Sequence, residues 1–133
     1  MKKQGLFILL LLLAISCSKD TENKLEGKWQ LRQVETEGTV VSVDTVWYNF
    51  QNTLFSYQLY NPSTGSYRQQ YGFNTVTGGE LLLELGDNPL PNDQFLPLTD
   101  WDRAERSFSI TKLKGSELIL TDASGKIYTF RRF

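Results

Sequence analysis

From residue 28 to the end of the chain, apolar side chains recur at every second position far more often than at the 3.6-residue spacing of a helix. The breaks between these runs carry Gly, Asn, Asp, Pro and Ser. That pattern commits the chain to β-structure. Strands are predicted over 28–35, 40–50, 53–60, 67–75, 80–85, 106–113, 116–121 and 126–133. Most connections, such as Glu37-Gly38, Thr77-Gly78-Gly79 and Lys114-Gly115, are short enough for hairpins, so neighbours in sequence become neighbours in an antiparallel sheet. Phe108 with Ile110, Leu118 with Leu120, and Tyr128 with Phe130 form one continuous apolar face, extended by Leu81, Leu83 and Leu85. Eight strands of this kind remove their edges by closing into an all-β, up-and-down antiparallel barrel. A two-sheet β-sandwich is the alternative.

One connection breaks the rule. Residues 86–102 contain three of the four prolines and the isolated large apolar residues Leu90, Phe95, Leu96, Leu98 and Trp101. A loop of this length in a small domain is either functional or packed as a lid or plug.

The amino terminus gives an address. Lys2 and Lys3 precede an apolar run from Leu6 to Ile15, and small residues lead into Cys17, the single cysteine. This is the layout of a cleaved export signal, with too few apolar residues to span a bilayer. The segment from Leu13 to Cys17 resembles the lipobox of bacterial lipoproteins, with Ala14 where leucine is usual. The resemblance implies cleavage before Cys17 and its modification by diacylglycerol and a fatty acyl chain such as palmitate. Several acyl chains supply durable anchoring, at ~0.8 kcal/mol per buried methylene. Lys19-Asp20 and Glu22 also look similar to the acidic signal behind the cysteine of Bacteroidota lipoproteins, which implies an outer-membrane address on the periplasmic or the cell-surface face. The organisation read from the sequence is a signal peptide at 1–16, a lipidated cysteine and flexible polar tether at 17–24, and a folded domain at 25–133.

Removal of residues 1–16 from a chain of 133 leaves 117, enough for a single modest core. With Lys2 and Lys3 gone, the formal charge moves from −1 to −3. With no basic block beyond Arg131-Arg132, nucleic acid is excluded as a natural partner. The chain has no histidine, which removes the usual Ser-His and Cys-His nucleophile pairs and imidazole metal sites, while Cys17 is consumed by the anchor. Asp100 and Asp102 beside Trp101 are the candidates for paired-carboxylate chemistry, and Asp87, Asn88, Asn92 and Asp93 for calcium. Neither spacing is specific, so the reading is of a non-enzymatic protein with no cofactor and no metal.

Aromatic residues are the stronger lead. Trp47, Tyr48 and Phe50, then Phe55, Tyr57 and Tyr60, then Tyr67, Tyr71 and Phe73 make one half of the sheet aromatic, interleaved with Gln58, Gln69, Gln70 and Asn74. The candidate ligand-binding set is Trp47, Tyr57, Tyr67, Gln69, Tyr71, Phe73 and Trp101, which would wall a pocket with flat apolar surfaces and amide groups. The competing reading is that these rings simply fill the barrel.

At the first strand, Gly27-Lys28-Trp29 resembles the Gly-x-Trp opening of lipocalins and bacterial lipocalin-like domains. In that family the tryptophan closes the barrel floor and a basic side chain from the last strand packs across it. The resemblance assigns Gly27 and Trp29 to the motif and Arg131 or Arg132 to the cation. Three functions are compatible with the sequence. The first is a membrane-anchored lipocalin-like protein that binds a small apolar or amphipathic ligand. The second is a structural lipoprotein that docks an envelope protein through the 86–102 loop or an exposed aromatic patch. The third, ranked last, is an enzyme with carboxylates on that loop.

Overall fold

The computed structural model describes residues 19–133; the signal-peptide assignment and Cys17 lie outside them. Residues 19–25 are helical where the sequence reading has a flexible tether. Two local causes are visible. Lys24 and Asp20 form an i,i+4 ion pair at 3.2 Å, and Leu25 buries its side chain in the core at the helix end.

Nine strands follow among the described residues: β1 Gly27–Thr36, β2 Thr39–Ser42, β3 Val46–Gln51, β4 Leu54–Asn61, β5 Ser66–Thr77, β6 Glu80–Leu85, β7 Glu105–Lys114, β8 Glu117–Asp122 and β9 Ile127–Arg132. Every pairing is antiparallel, and β1 pairs with β9 to close eight of the strands into a barrel, with β2 as an extra strand. That closure rules out the sandwich.

The single strand predicted over 40–50 is two. One edge of β1 is shared, with Gly27–Gln30 pairing with β3 and Gln33–Thr36 pairing with β2. Residues 43–45 step from one partner to the next. Val43 N–H donates to the Arg32 carbonyl, and the Asp44 carbonyl accepts the Gln30 amide. The short strand β2 therefore carries the β1 hairpin past the barrel at its open end.

The core follows the alternation. Leu81, Leu83, Leu85, Phe108, Leu118, Leu120, Tyr128 and Phe130 all point inward and are buried. Tyr48, Phe50, Phe55 and Tyr57 fill the opposite side with tilted and edge-on ring contacts.

The 86–102 connection is a plug. It forms a helical turn at Asn92–Phe95 and a 3-10 turn at Leu96–Leu98, and it turns Phe95 and Trp101 into the barrel. Trp101 lies parallel to Phe55, with ring centroids 6.2 Å apart, and its Nε1 donates to Tyr48 Oη at 3.1 Å. Phe95 meets Tyr57 edge-on at 5.5 Å. Burying two rings of this size contributes a few kcal/mol, on the order of 2 to 3 each, against the entropy of ordering the loop.

Candidate functional site

The floor is shut. Trp29 is fully buried, its Nε1 donates to the Leu25 carbonyl at 2.8 Å, and Arg132 covers the indole. Arg131, one residue earlier on the strand, lies on the opposite face of β9 and is exposed. Access to the interior is left to the mouth.

There, the β1–β2 hairpin and the plug leave an open groove of about 340 Å³ between them. Leu31, Val34, Val41, Val43, Val46 and Leu98 supply apolar walls, Tyr57 lies at its inner side, and Asp100 and Lys126 give it a polar end. The local sequence explains the walls. β2 is Thr-Val-Val-Ser with all four residues exposed, so Val41 stays uncovered beside the groove. Leu98, at the end of the 3-10 turn, is likewise half exposed.

The polar end is a charge network. Tyr128 Oη donates to Asp100 Oδ2 at 2.6 Å. Arg106 Nη2 donates to Asp122 Oδ2 at 2.7 Å and to Tyr128 Oη at 2.9 Å. Arg106 Nη1 and Lys126 Nζ each stand 3.5 Å from Asp100 Oδ2, which for Nη1 is Coulombic proximity without hydrogen-bond geometry. Burial, reinforced by Asp100, pushes the Tyr128 phenol well above its usual range despite the opposing pull of Arg106. Burial likewise raises Tyr57, with Asp100 adding to it, and raises Tyr48, with Tyr57 and Asp100 adding to it. Burial by itself would lower Arg106, but the Tyr128 hydrogen bond and the field of Tyr48 and Asp100 more than offset it. The mouth therefore offers neutral phenols and mutually paired ions, which suits binding rather than nucleophilic attack.

A larger depression of about 750 Å³ opens on the other side of this network, lined by Asp102, Arg103, Glu105, Asp122 and Ser124 among others. Its charges of both signs make it a poorer receptacle for an apolar molecule than the smaller groove. Asp100 and Asp102 both line this depression, and Asp100 is held there by Tyr128, Arg106 and Lys126. Of the calcium candidates, two are tied into the loop itself: Asp87 Oδ1 accepts Asn92 N–H, and Asn92 Nδ2 donates to the Leu85 carbonyl.

The sequence-predicted pocket residues divide. Tyr57 and Trp101 are inside the barrel. Trp47, Tyr67, Gln69, Tyr71 and Phe73 are on the outer wall, and Tyr67, Tyr71 and Phe73 are 60%, 47% and 57% exposed. They cannot wall an interior pocket, so that part of the sequence reading is corrected. The cause is the parity of β5. Its inward positions are Gln70, Gly72, Asn74 and Val76, because amides are needed there to tie down the loops. Gln70 Nε2 donates to the carbonyls of Gly86 and Leu90, its Oε1 accepts Leu90 N–H, and Asn74 Nδ2 donates to the carbonyls of Asn52 and Leu54. Gly72 completes the row because a Cβ there would fall 1.9 Å from the Glu84 carbonyl oxygen. The groove residues Val34, Val41, Val43 and Lys126 were not singled out by sequence reasoning, and Leu98 was noted only as an isolated apolar residue of the long loop. The available signal was the short uncharged Thr-Val-Val-Ser run directly after Glu37-Gly38.

Residues 10–133 match the family model of the lipocalin-like domain. A lipocalin-like protein from Bacteroides uniformis ATCC 8492 is similar in structure, with a TM-score of 0.70 and 32% sequence identity, covering 83% of this chain and 99% of that one. An uncharacterized protein from Bacteroides eggerthii DSM 20697 is similar with a TM-score of 0.67 and 30% identity, covering 82% of this chain and 99% of that one. No curated protein matches. A closed antiparallel barrel, a floor made by Trp29 under Arg132, and a family match across nearly the whole sequence lead to one assignment: the chain belongs to the lipocalin-like domain family.

Proposed function

We propose that this protein is an outer-membrane-anchored lipocalin-like lipoprotein that holds a small apolar or amphipathic ligand at the barrel mouth. The observation that carries the reading is the groove of about 340 Å³ whose valine and leucine walls end at Asp100 and Lys126. Its size and its mixture of apolar walls with a few polar groups are those of small-molecule sites. Because Phe95 and Trp101 occupy the interior, the ligand rests above the plug rather than deep in the barrel. The same burial argues against the 86–102 loop as a protein-docking segment, since its two largest anchors face inward.

Binding is tested with a dansylated undecanoic acid, whose fluorescence rises on leaving water. Saturable enhancement is expected, and Leu98→Glu, at a half-exposed groove position, is expected to weaken it at least tenfold. Absence of saturable binding, or equal affinity in Leu98→Glu, would overturn the reading. The anchor is tested by Cys17→Ser, which is expected to shift the protein from the membrane to the soluble fraction and to abolish metabolic labelling with an alkynyl palmitate. An unchanged distribution would reject it.

A further inference from the structure

The outer wall formed by β3, β4 and β5 is unlike the rest of the surface. The outward positions of these three strands, Trp47, Asn49 and Gln51, Leu54, Ser56, Gln58 and Tyr60, and Tyr67, Gln69, Tyr71, Phe73, Thr75 and Thr77, carry no formal charge; the one charged residue within the strands, the exposed Arg68, has the opposite parity and pairs with Leu59. In a chain with 22% charged residues this is a marked exclusion. Carboxylates return on the neighbouring strand β6, with Glu80 and Glu84. On the other side Lys28 lies over the Trp47 and Phe133 rings at 5.5 and 5.0 Å. Leu54, Tyr67, Tyr71, Phe73 and Phe133, five of the large exposed apolar residues, also gather on this side of the barrel.

Rings and amides interleave on this face. Tyr67, Gln69, Tyr71 and Phe73 stand in line on β5, a ladder of about 20 Å at the usual strand rise. Across from them on β4 are Tyr60, Gln58, Ser56 and Leu54. Between the rows is a shallow depression of about 130 Å³ lined by Asn49, Gln51, Ser56, Gln69 and Tyr71 with Leu54. Gln69 Nε2 donates to Ser56 Oγ at 3.1 Å, which holds that amide upright beside the Tyr71 ring. Trp47 is buried among Tyr67, Phe133 and Lys28, and its Nε1 has no hydrogen-bond partner among the described residues. A buried donor left unpaired is costly.

We propose that the outer face of β3, β4 and β5 is a binding platform for a neutral glycan. Its occupant must carry no net charge, because the face offers none to pair with. It must present weakly polarised C–H groups to the electron-rich faces of Tyr67, Tyr71 and Phe73, and hydroxyls that both donate and accept to the amides of Gln58, Gln69 and Asn49. Pyranose sugars have both properties on one ring, and an extended oligosaccharide matches the line of β5. An anionic lipid surface would call for lysines and arginines on this face. A dry protein interface would have to find partners for every amide it covered. This site is separate from the mouth groove and does not depend on a ligand there.

The test titrates purified full-length protein with neutral hexasaccharides, namely cellohexaose, maltohexaose, xylohexaose and mannohexaose, by calorimetry, with hexagalacturonic acid as the charged comparison. At least one neutral hexasaccharide is expected to bind with a dissociation constant between about 10 μM and 1 mM, with little dependence on salt. Tyr71→Ala and Gln69→Ala, both on the surface of the strand, are expected to weaken it at least tenfold, whereas Leu98→Glu at the mouth leaves it unchanged. Four outcomes would overturn the proposal: no binding by any neutral hexasaccharide at several millimolar, preference for the hexagalacturonate, binding indifferent to Tyr71→Ala, or a dimer in light scattering that Tyr71→Ala dissociates, which would make the face a contact between copies of the chain.

Discussion

The guanidinium of Arg132 lies over the indole of Trp29, its Cζ 4.2 Å from the ring centroid, while its two terminal nitrogens donate to the carbonyls of Glu26 and Lys24 at 2.7 and 2.9 Å. One side chain from the last strand thus closes the floor and caps the carbonyl end of the first helix. Gly27 sits in the same joint with φ +116°, and a Cβ there would lie 2.9 Å from Arg132 Nη1. Arg132→Ala is expected to cost about 1 to 2 kcal/mol, the sum of a partly exposed cation–π contact and two hydrogen bonds. Arg132→Lys should recover less than half of that, since an ammonium cannot stack and reach both carbonyls together. Gly27→Ala should cost about 1 to 3 kcal/mol through backbone strain. Urea midpoints of the three variants check the ordering.

Gln70 is the fastener of the plug. Its amide faces three acceptors, the carbonyls of Gly86 and Leu90 and the Oδ1 of Asn92, and one donor, Leu90 N–H. Gln70→Ala is expected to destabilise the protein by about 3 kcal/mol, because buried backbone groups lose their partners. Gln70→Glu, though nearly isosteric, should be at least as damaging, since a carboxylate cannot donate to those oxygens. Hydrogen exchange separates a local from a global effect: protection should fall at Leu90–Thr99 before it falls in β8 and β9.

The fold was largely legible because the inward residues of β6, β8 and β9, such as Leu83, Leu120 and Phe130, obey strict alternation. The plug was legible as a long proline-rich loop, and its inward anchors Phe95 and Trp101 were visible as isolated large apolar residues. The candidate pocket was misread on β5, where hydrophobicity alone assigns Tyr67, Tyr71 and Phe73 to the inside. The inward row is instead Gln70, Gly72 and Asn74, chosen for tertiary hydrogen bonds and close backbone approach that no single-strand pattern contains. The division of 40–50 into β2 and β3 was hidden for a similar reason. It depends on β1 sharing one edge between two partners, a relationship between strands rather than a property of residues 43–45.

Asp122 ties acid stability to the β8–β9 turn. Burial would raise its carboxyl, but hydrogen bonds from the Ser124 hydroxyl and from the N–H groups of Lys126 and Ser124, with the Arg106 charge, hold it below the ordinary carboxylate range. The unfolded chain therefore takes up this proton more readily than the folded one. The stabilisation is complete above the unfolded value, near pH 4, and drains away as pH falls toward the lower folded value. Asp122→Asn should cost about 2 kcal/mol at neutral pH, as expected for loss of charge-assisted hydrogen bonds. Its stability curve should converge on that of the unsubstituted protein below pH 4. A constant gap from pH 7 to pH 2.5 in thermal melts would contradict this account.

Trp101 links the plug to the proposed ligand site, since it stacks on Phe55, bonds Tyr48 and immediately follows Asp100 at the polar end of the groove. Trp101→Ala should cost about 3 to 5 kcal/mol, as for other buried aromatic truncations, and should leave a void beside Tyr48, Phe55 and Tyr57. Trp101→Phe keeps most of the packing and loses the Nε1 donor, so about 1 kcal/mol is expected from the hydrogen bond with a smaller term for lost volume. If the groove is the binding site and the plug limits its depth, the alanine variant should bind dansylated undecanoic acid more tightly even though it melts earlier, because the chain of the probe gains the vacated space. The phenylalanine variant should bind as the unsubstituted protein does. Measuring affinity and melting temperature on the same samples checks this, and an alanine variant that is destabilised with unchanged affinity would mean that the probe never reaches the plug.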